Sequence, residues 1–159
     1  MKVKGIVDED FINYKKPSMF IIFPNCTFKC EKECGQRVCQ NSTLASAPTV
    51  SISENDVIER YINNPITSAI VLGGLEPFDS FPEMANFIRT LRLRYQCNDD
   101  IVIYTGYTEE EIKEDIKALS VYENIIIKFG RFIPNQISHY DEVLKIELAS
   151  KNQYAKKIS

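Results

Sequence analysis

The chain has no uninterrupted apolar run approaching the roughly 20 residues needed to cross a bilayer. Its first residues, MKVKGIVDEDF, lack the apolar stretch of a secretory signal, so the expected compartment is the cytoplasm and no membrane partner is expected. A basic block is also missing: 19 Lys plus Arg against 22 Asp plus Glu leave a net charge of -3, which argues against a nucleic-acid partner. Histidine occurs once, as His139 among polar residues before Asp141, and reads as a solvated loop residue with no assigned role. There is no internal repeat and no low-complexity tract. What is present is 159 residues, 44% of them hydrophobic, with nine Phe and eight Tyr, enough to fill one core, so residues 1–159 read as a single domain.

Apolar runs and helical stripes alternate along the chain. After a short leader, SMFIIFP (Ser18 to Pro24) predicts a strand stopped by Pro24 and Asn25. The small, polar NSTLASAPTVS segment reads as a connector outside the core. Ser53 with Asp56 has the pattern of a capping box and opens a helix whose apolar face carries Val57, Ile58, Tyr61 and Ile62. TSAIVLG predicts a second strand, and a helix from about Pro82 carries Met84, Phe87, Ile88, Leu91 and Tyr95. DIVIYTG predicts a third strand. Thr108 with Glu111 caps a helix with Ile112, Ile116 and Leu119, and ENIIIKFG supplies a further strand. This order predicts an α/β fold with a mainly parallel sheet, helices over it and the working loops at the carboxyl ends of the strands. Three unusual segments fall at such ends: a cysteine loop, GGLEP and TGY.

Four of the five cysteines crowd into one loop, residues 24–42: Cys26-T-F-K-Cys30-E-K-E-Cys34-G-Q-R-V-Cys39-Q-N. Scattered cysteines serve packing, as Cys97 does at a helix end, whereas clustered thiols in a reducing compartment serve metal. Thiolates suit both zinc and iron-sulfur clusters. Structural zinc sites pair C-x2-C knuckles from separate segments, and here all four thiols come from one continuous loop.

The loop resembles that of the radical S-adenosylmethionine superfamily, whose signature is C-x3-C-x2-C at the end of the first strand of a partial (βα) barrel. Cys26 and Cys30 fit directly; Cys34 comes one residue late and Cys39 six residues late. The resemblance favours Cys39 as third ligand, since Cys39-Gln-Asn looks like the cysteine-x-asparagine of the superfamily's activating enzymes, and leaves Cys34 as the other choice. Gly73-Gly74-Leu75-Glu76-Pro77 resembles the G-G-E-P motif, with Leu75 replacing a glycine, and Tyr104-Thr105-Gly106-Tyr107 resembles a Y-T-G-Y segment. Lys128-Phe129-Gly130-Arg131-Phe132 and Ser150-Lys151-Asn152-Gln153 are similar to the D-G-R-F and G-S-x-N-Q segments of anaerobic ribonucleotide reductase activating proteins, with Phe129 where aspartate is usual.

This resemblance implies a 4Fe-4S cluster on Cys26, Cys30 and Cys39, with S-adenosylmethionine held by Gly74, Glu76, Thr105 and Gly106. It also implies reductive cleavage to a 5'-deoxyadenosyl radical and formation of a glycyl radical on a large partner, the anaerobic ribonucleoside-triphosphate reductase. A small electron donor such as flavodoxin or ferredoxin is a further implied partner. Two other readings stay open: a small radical enzyme acting on a metabolite or a different glycyl-radical enzyme, and a non-enzymatic zinc-binding or electron-transfer module.

Overall fold

In this computed structural model, which describes residues 1–159, the chain opens with Lys2–Val3 (β1), Gly5–Asp10 (β2) and Ser18–Phe23 (β3). The cysteine loop carries two short helices, Lys29–Cys34 (α1) and Ser42–Ser46 (α2), before Val50–Ser51 (β4) pairs back onto β1. Strands and helices then alternate: Glu54–Ile62 (α3), Ala69–Gly74 (β5), Phe81–Leu93 (α4), Asp100–Tyr104 (β6), Lys113–Leu119 (α5) and Ile125–Phe129 (β7). A hairpin, His139–Asp141 (β8) with Ile146–Leu148 (β9), and the strand Tyr154–Lys157 (β10) complete the order.

Six strands form one sheet in the order β10-β7-β6-β5-β3-β2. Its four central strands run parallel, and the two edge strands, β2 and β10, run antiparallel to their neighbours. All residues of β7 and all but the last of β5 are buried, as a parallel sheet covered on both faces requires. On one face Val57, Ile58, Met84, Phe87, Ile88, Leu91 and Leu119 of the helices pack on Met19, Ile70, Ile101 and Ile125. The other face is covered by Tyr14 and by Leu144 and Leu148 of the hairpin segment, against Ala69, Val71, Val102 and Ile126.

Several expectations are corrected. The leader, for which the sequence pattern predicts no element, carries β2, which extends the sheet with Ile6 packed inward and Val7 outside. The 41–51 connector contains α2 and β4, though it buries nothing. Ser53 is the N-cap of α3 without a side-chain hydrogen bond, and Ile62 is exposed at the frayed end of its stripe. Thr108 and Glu111 do make the reciprocal box, with Thr108 N–H donating to Glu111 Oε2 at 2.9 Å, but it closes a turn ahead of α5. His139 lies on β8 opposite Leu148, half-buried, with no hydrogen-bond partner for Nδ1. Cys97 is half-buried at the end of the α4 region, where the Arg92 guanidinium donates to its carbonyl at 2.6 Å.

Gly74 ends β5 at φ 85°, where a Cβ would meet Ile22 Cγ2 at 2.4 Å and Ile22 Cα at 3.1 Å. Left-handed backbone and a clash with a neighbouring strand act together. Gly74→Ala is therefore expected to destabilise the protein by at least about 1–3 kcal/mol in urea denaturation, and an unchanged midpoint would remove this close approach from the fold's requirements.

Candidate functional site

The carboxyl ends of β3 and β5 are laced together before the first cysteine. Glu76 N–H donates to the Asn25 carbonyl at 2.7 Å, and Asn25 Nδ2 donates to Ser80 Oγ at 2.9 Å. Thr27 N–H donates to Asp79 Oδ2 at 2.7 Å, so the loop leaves the sheet already anchored to the turn after β5. Phe28 then takes left-handed backbone, φ 52°, and its N–H reaches Cys26 Sγ at 3.2 Å. Further along, Asn41 Nδ2 donates to the Gly74 carbonyl at 2.7 Å and ties the loop's far end to GGLEP.

A cavity of about 520 Å³ opens at these strand ends. Cys26, Cys30 and Cys39 border it, and so do Gly74, Glu76, Thr105 and Gly106. Cys34 does not: it is exposed on α1, its Sγ lies 2.6 Å from the Cys30 carbonyl, and it borders an adjoining cavity of about 380 Å³ that Cys30, Arg131 and Tyr154 also line. Burial pushes the Cys26 thiol up to about 11, offset by the Phe28 N–H and reinforced by the Glu76 and Asp79 charges. Cys30 is also raised, by burial first and then by the neighbouring Cys39.

Glu76 is the electrostatic centre of the cavity floor. Its carboxylate accepts from Thr105 Oγ1 at 2.8 Å, from Gly106 N–H at 2.8 Å and from Phe78 N–H at 3.2 Å, at 7% exposure. The Thr105 hydroxyl is thus engaged within the protein, and it also accepts from Tyr107 N–H at 3.0 Å. Burial raises Glu76 to about 7, against the pull of those three donors. Lys128, also 7% exposed, lines the same cavity, and burial lowers it to about 8 while Glu76 holds it up.

A carboxyl raised from about 4.5 to about 7 on folding favours the folded state fully below pH 4.5, and that contribution disappears as pH climbs through 7. Cluster-free wild type is expected to lose roughly 3 kcal/mol relative to Glu76→Gln between pH 4.5 and 7.5, read from urea denaturation at each pH. Parallel stability curves for the two proteins would show that Glu76 does not titrate in this window.

Lys128 was missed from sequence, although a lysine inside the apolar run IIIKF is the signal that marks it. Its ammonium donates only to the Gly130 carbonyl, at 3.1 Å, and Gln153 Nε2 donates to the same oxygen at 3.2 Å. Asn152 Nδ2 donates to the Arg131 carbonyl at 2.8 Å. The GRF and SKNQ segments therefore clasp one another beneath the cavity. Gly130, at φ 98°, has no room for a Cβ because the Asn152 carbonyl would lie 2.8 Å away. Phe129 is fully buried beside Tyr154 and brings no acid to the site.

No three His, Cys, Asp or Glu side chains converge on one point as a single ion needs. A four-iron cluster is ligated at separate iron corners, so thiolates spread along one rim fit it, and the soft donor set is the one such clusters take. Thiols at the mouth of an α/β sheet suit an iron-sulfur cluster. Residues 17–155 match the family described as 4Fe-4S single cluster domain, and the chain belongs to that family. No curated protein and no solved structure matches the chain. No helix is long and apolar enough to cross a membrane.

Proposed function

We propose that this iron-sulfur protein is an enzyme that reductively cleaves S-adenosylmethionine and generates a glycyl radical on anaerobic ribonucleoside-triphosphate reductase, with a small flavodoxin- or ferredoxin-like protein as electron donor. The observation that carries the reading is the split among the loop thiols: Cys26, Cys30 and Cys39 border one cavity, and Cys34 stands outside it. Three thiolates leave one iron for an exchangeable ligand, whereas four close the site. When bound, the cluster and S-adenosylmethionine supply one-electron cleavage of a carbon-sulfur bond, giving methionine and a 5'-deoxyadenosyl radical.

The chain's own residues bind, orient and shield. Cys26, Cys30 and Cys39 serve as the cluster ligands. The Gly74 carbonyl, which already accepts from Asn41, has a second lone pair for the ammonium of the methionine moiety. Glu76 fixes Thr105 and the Gly106 amide at the cavity floor. Lys128 uses one of its donors on Gly130 and offers the others to a carboxylate. Phe20, Tyr104, Ile146 and Leu148 line the opposite wall and keep water from the reacting bond.

The test is anaerobic reconstitution followed by electron paramagnetic resonance with and without S-adenosylmethionine, and an assay for 5'-deoxyadenosine after reduction. The expected result is a signal that changes on adding the cofactor, with 5'-deoxyadenosine formed. Zinc in the purified protein, or a cluster indifferent to the cofactor, would sink the proposal. Addition of the anaerobic reductase is expected to produce an organic radical on that partner; 5'-deoxyadenosine without such a radical would transfer the chemistry to a different substrate.

A further inference from the structure

Tyr107 sits between the three strand-end loops and grips the residues on both sides of Phe28. Its hydroxyl donates to Asp79 Oδ1 at 2.6 Å, and Asp79 Oδ2 accepts the Thr27 N–H at 2.7 Å. The Lys29 ammonium lies 4.5 Å from the centre of its ring, and the Arg131 guanidinium lies 5.6 Å from it. Glu111 ties both cations, receiving two bonds from Arg131 at 2.9 and 2.5 Å and one from Lys29 at 3.4 Å. The Tyr107 backbone is fixed too, since its N–H donates to Thr105 Oγ1 and its carbonyl accepts from Gly130 N–H.

Between Thr27 and Lys29, Phe28 holds a left-handed conformation that is strained for a bulky residue and persists only where the surroundings enforce it. That conformation turns the Phe28 N–H onto Cys26 Sγ at 3.2 Å. Hydrogen bonds to cluster sulfurs set the reduction potential, because an N–H donor stabilises the more negative, reduced state. The geometry points to Tyr107, acting through Asp79 and Lys29, as a positioning residue that raises the reduction potential of the cluster by holding the Phe28 amide on the Cys26 sulfur. This rests on the cluster and on Cys26 as its ligand, not on the cleavage of S-adenosylmethionine.

The experiment is redox titration of the reconstituted cluster, followed by electron paramagnetic resonance without S-adenosylmethionine, with iron and sulfide measured on the same samples. Tyr107→Phe keeps the ring on Lys29 but removes the hydroxyl that holds Asp79 Oδ1 and lies 3.5 Å from Thr27 Oγ1. It is expected to carry wild-type iron and sulfide and to titrate at a lower potential. Glycine takes left-handed backbone without strain, so Phe28→Gly added to Tyr107→Phe is expected to move the potential back toward wild type. A fully loaded Tyr107→Phe protein at the wild-type potential overturns the inference, as does a shift that Phe28→Gly leaves untouched. If Tyr107→Phe holds no cluster, recovery of iron in the double variant supports the grip, and continued loss refutes it. Absence of any cluster from wild type is a different result and tells against the iron-sulfur site itself.

Discussion

Reconstituted Cys26→Ala, Cys30→Ala and Cys39→Ala proteins are each expected to form no detectable 5'-deoxyadenosine, while Cys34→Ala keeps most of the wild-type yield. Removing one of three ligands leaves two irons short of thiolate, and the cluster is lost. Cys34 differs in place rather than chemistry. It sits one helical turn after Cys30 on the same face of α1, farther along the helix, where its sulfur donates to the Cys30 carbonyl, is exposed to solvent and does not border the cavity that Cys26 and Cys39 line. Iron content of the four variants, measured beside the product, separates cluster loss from impaired turnover. Retained activity in Cys39→Ala together with loss in Cys34→Ala would falsify the ligand set and make the loop's outer thiol the third ligand.

Lys128→Met is expected to weaken S-adenosylmethionine binding roughly tenfold to a hundredfold while the cluster's iron and sulfide stay at wild-type levels. A hydrogen bond to a charged group contributes about 1.5–3 kcal/mol, and each 1.4 kcal/mol is a factor of ten. Methionine preserves the length and apolar stem of the lysine, so the cavity keeps its shape and loses only the ammonium. The pH profile gives an independent reading. Lys128 is lowered to about 8 by burial, so it sheds its proton as pH rises past that value, and wild-type affinity is expected to fall there. Lys128→Met lacks this fall. Equilibrium binding to the reconstituted protein across pH 7 to 9 checks both effects; equal affinity in the two proteins would remove Lys128 from the ligand's surroundings.

The parallel core was legible because its signals are local and strong. The runs in β3, β5, β6 and β7 are short, dense in apolar residues and bounded by turn residues, and the α4 stripe recurs at helical spacing, so run length identified the strands and period the helix. The cavity's cysteines were legible as a cluster because four thiols in one loop have no packing explanation. What escaped depended on distant partners. The strand β2 reads GIVDED, too acidic to announce itself, and forms because the loop through Asn13 and Tyr14 returns it onto β3 and docks on Tyr104 and Asp100. The hairpin β8-β9 is only three residues per strand and is specified by Asp141, whose carboxylate gathers the amides of Val143, Leu144 and Ala155. Asp79 gave no sign in the sequence and Tyr107 stood out only as part of the TGY segment, since their pairing joins segments 28 residues apart.

The two faces of the sheet are unequally insulated. Three helices with a cluster of 21 buried residues back one side, whereas the other rests on eight, supplied partly by a short hairpin and a loop. Thermal breathing is therefore expected to be one-sided, with amide deuteration fast through residues 132–146 and slow in β5 and β6. If the proposed function holds, a bulky substrate would meet least resistance at that thin wall, with the sheet and its cysteine loop backed by the thicker layer.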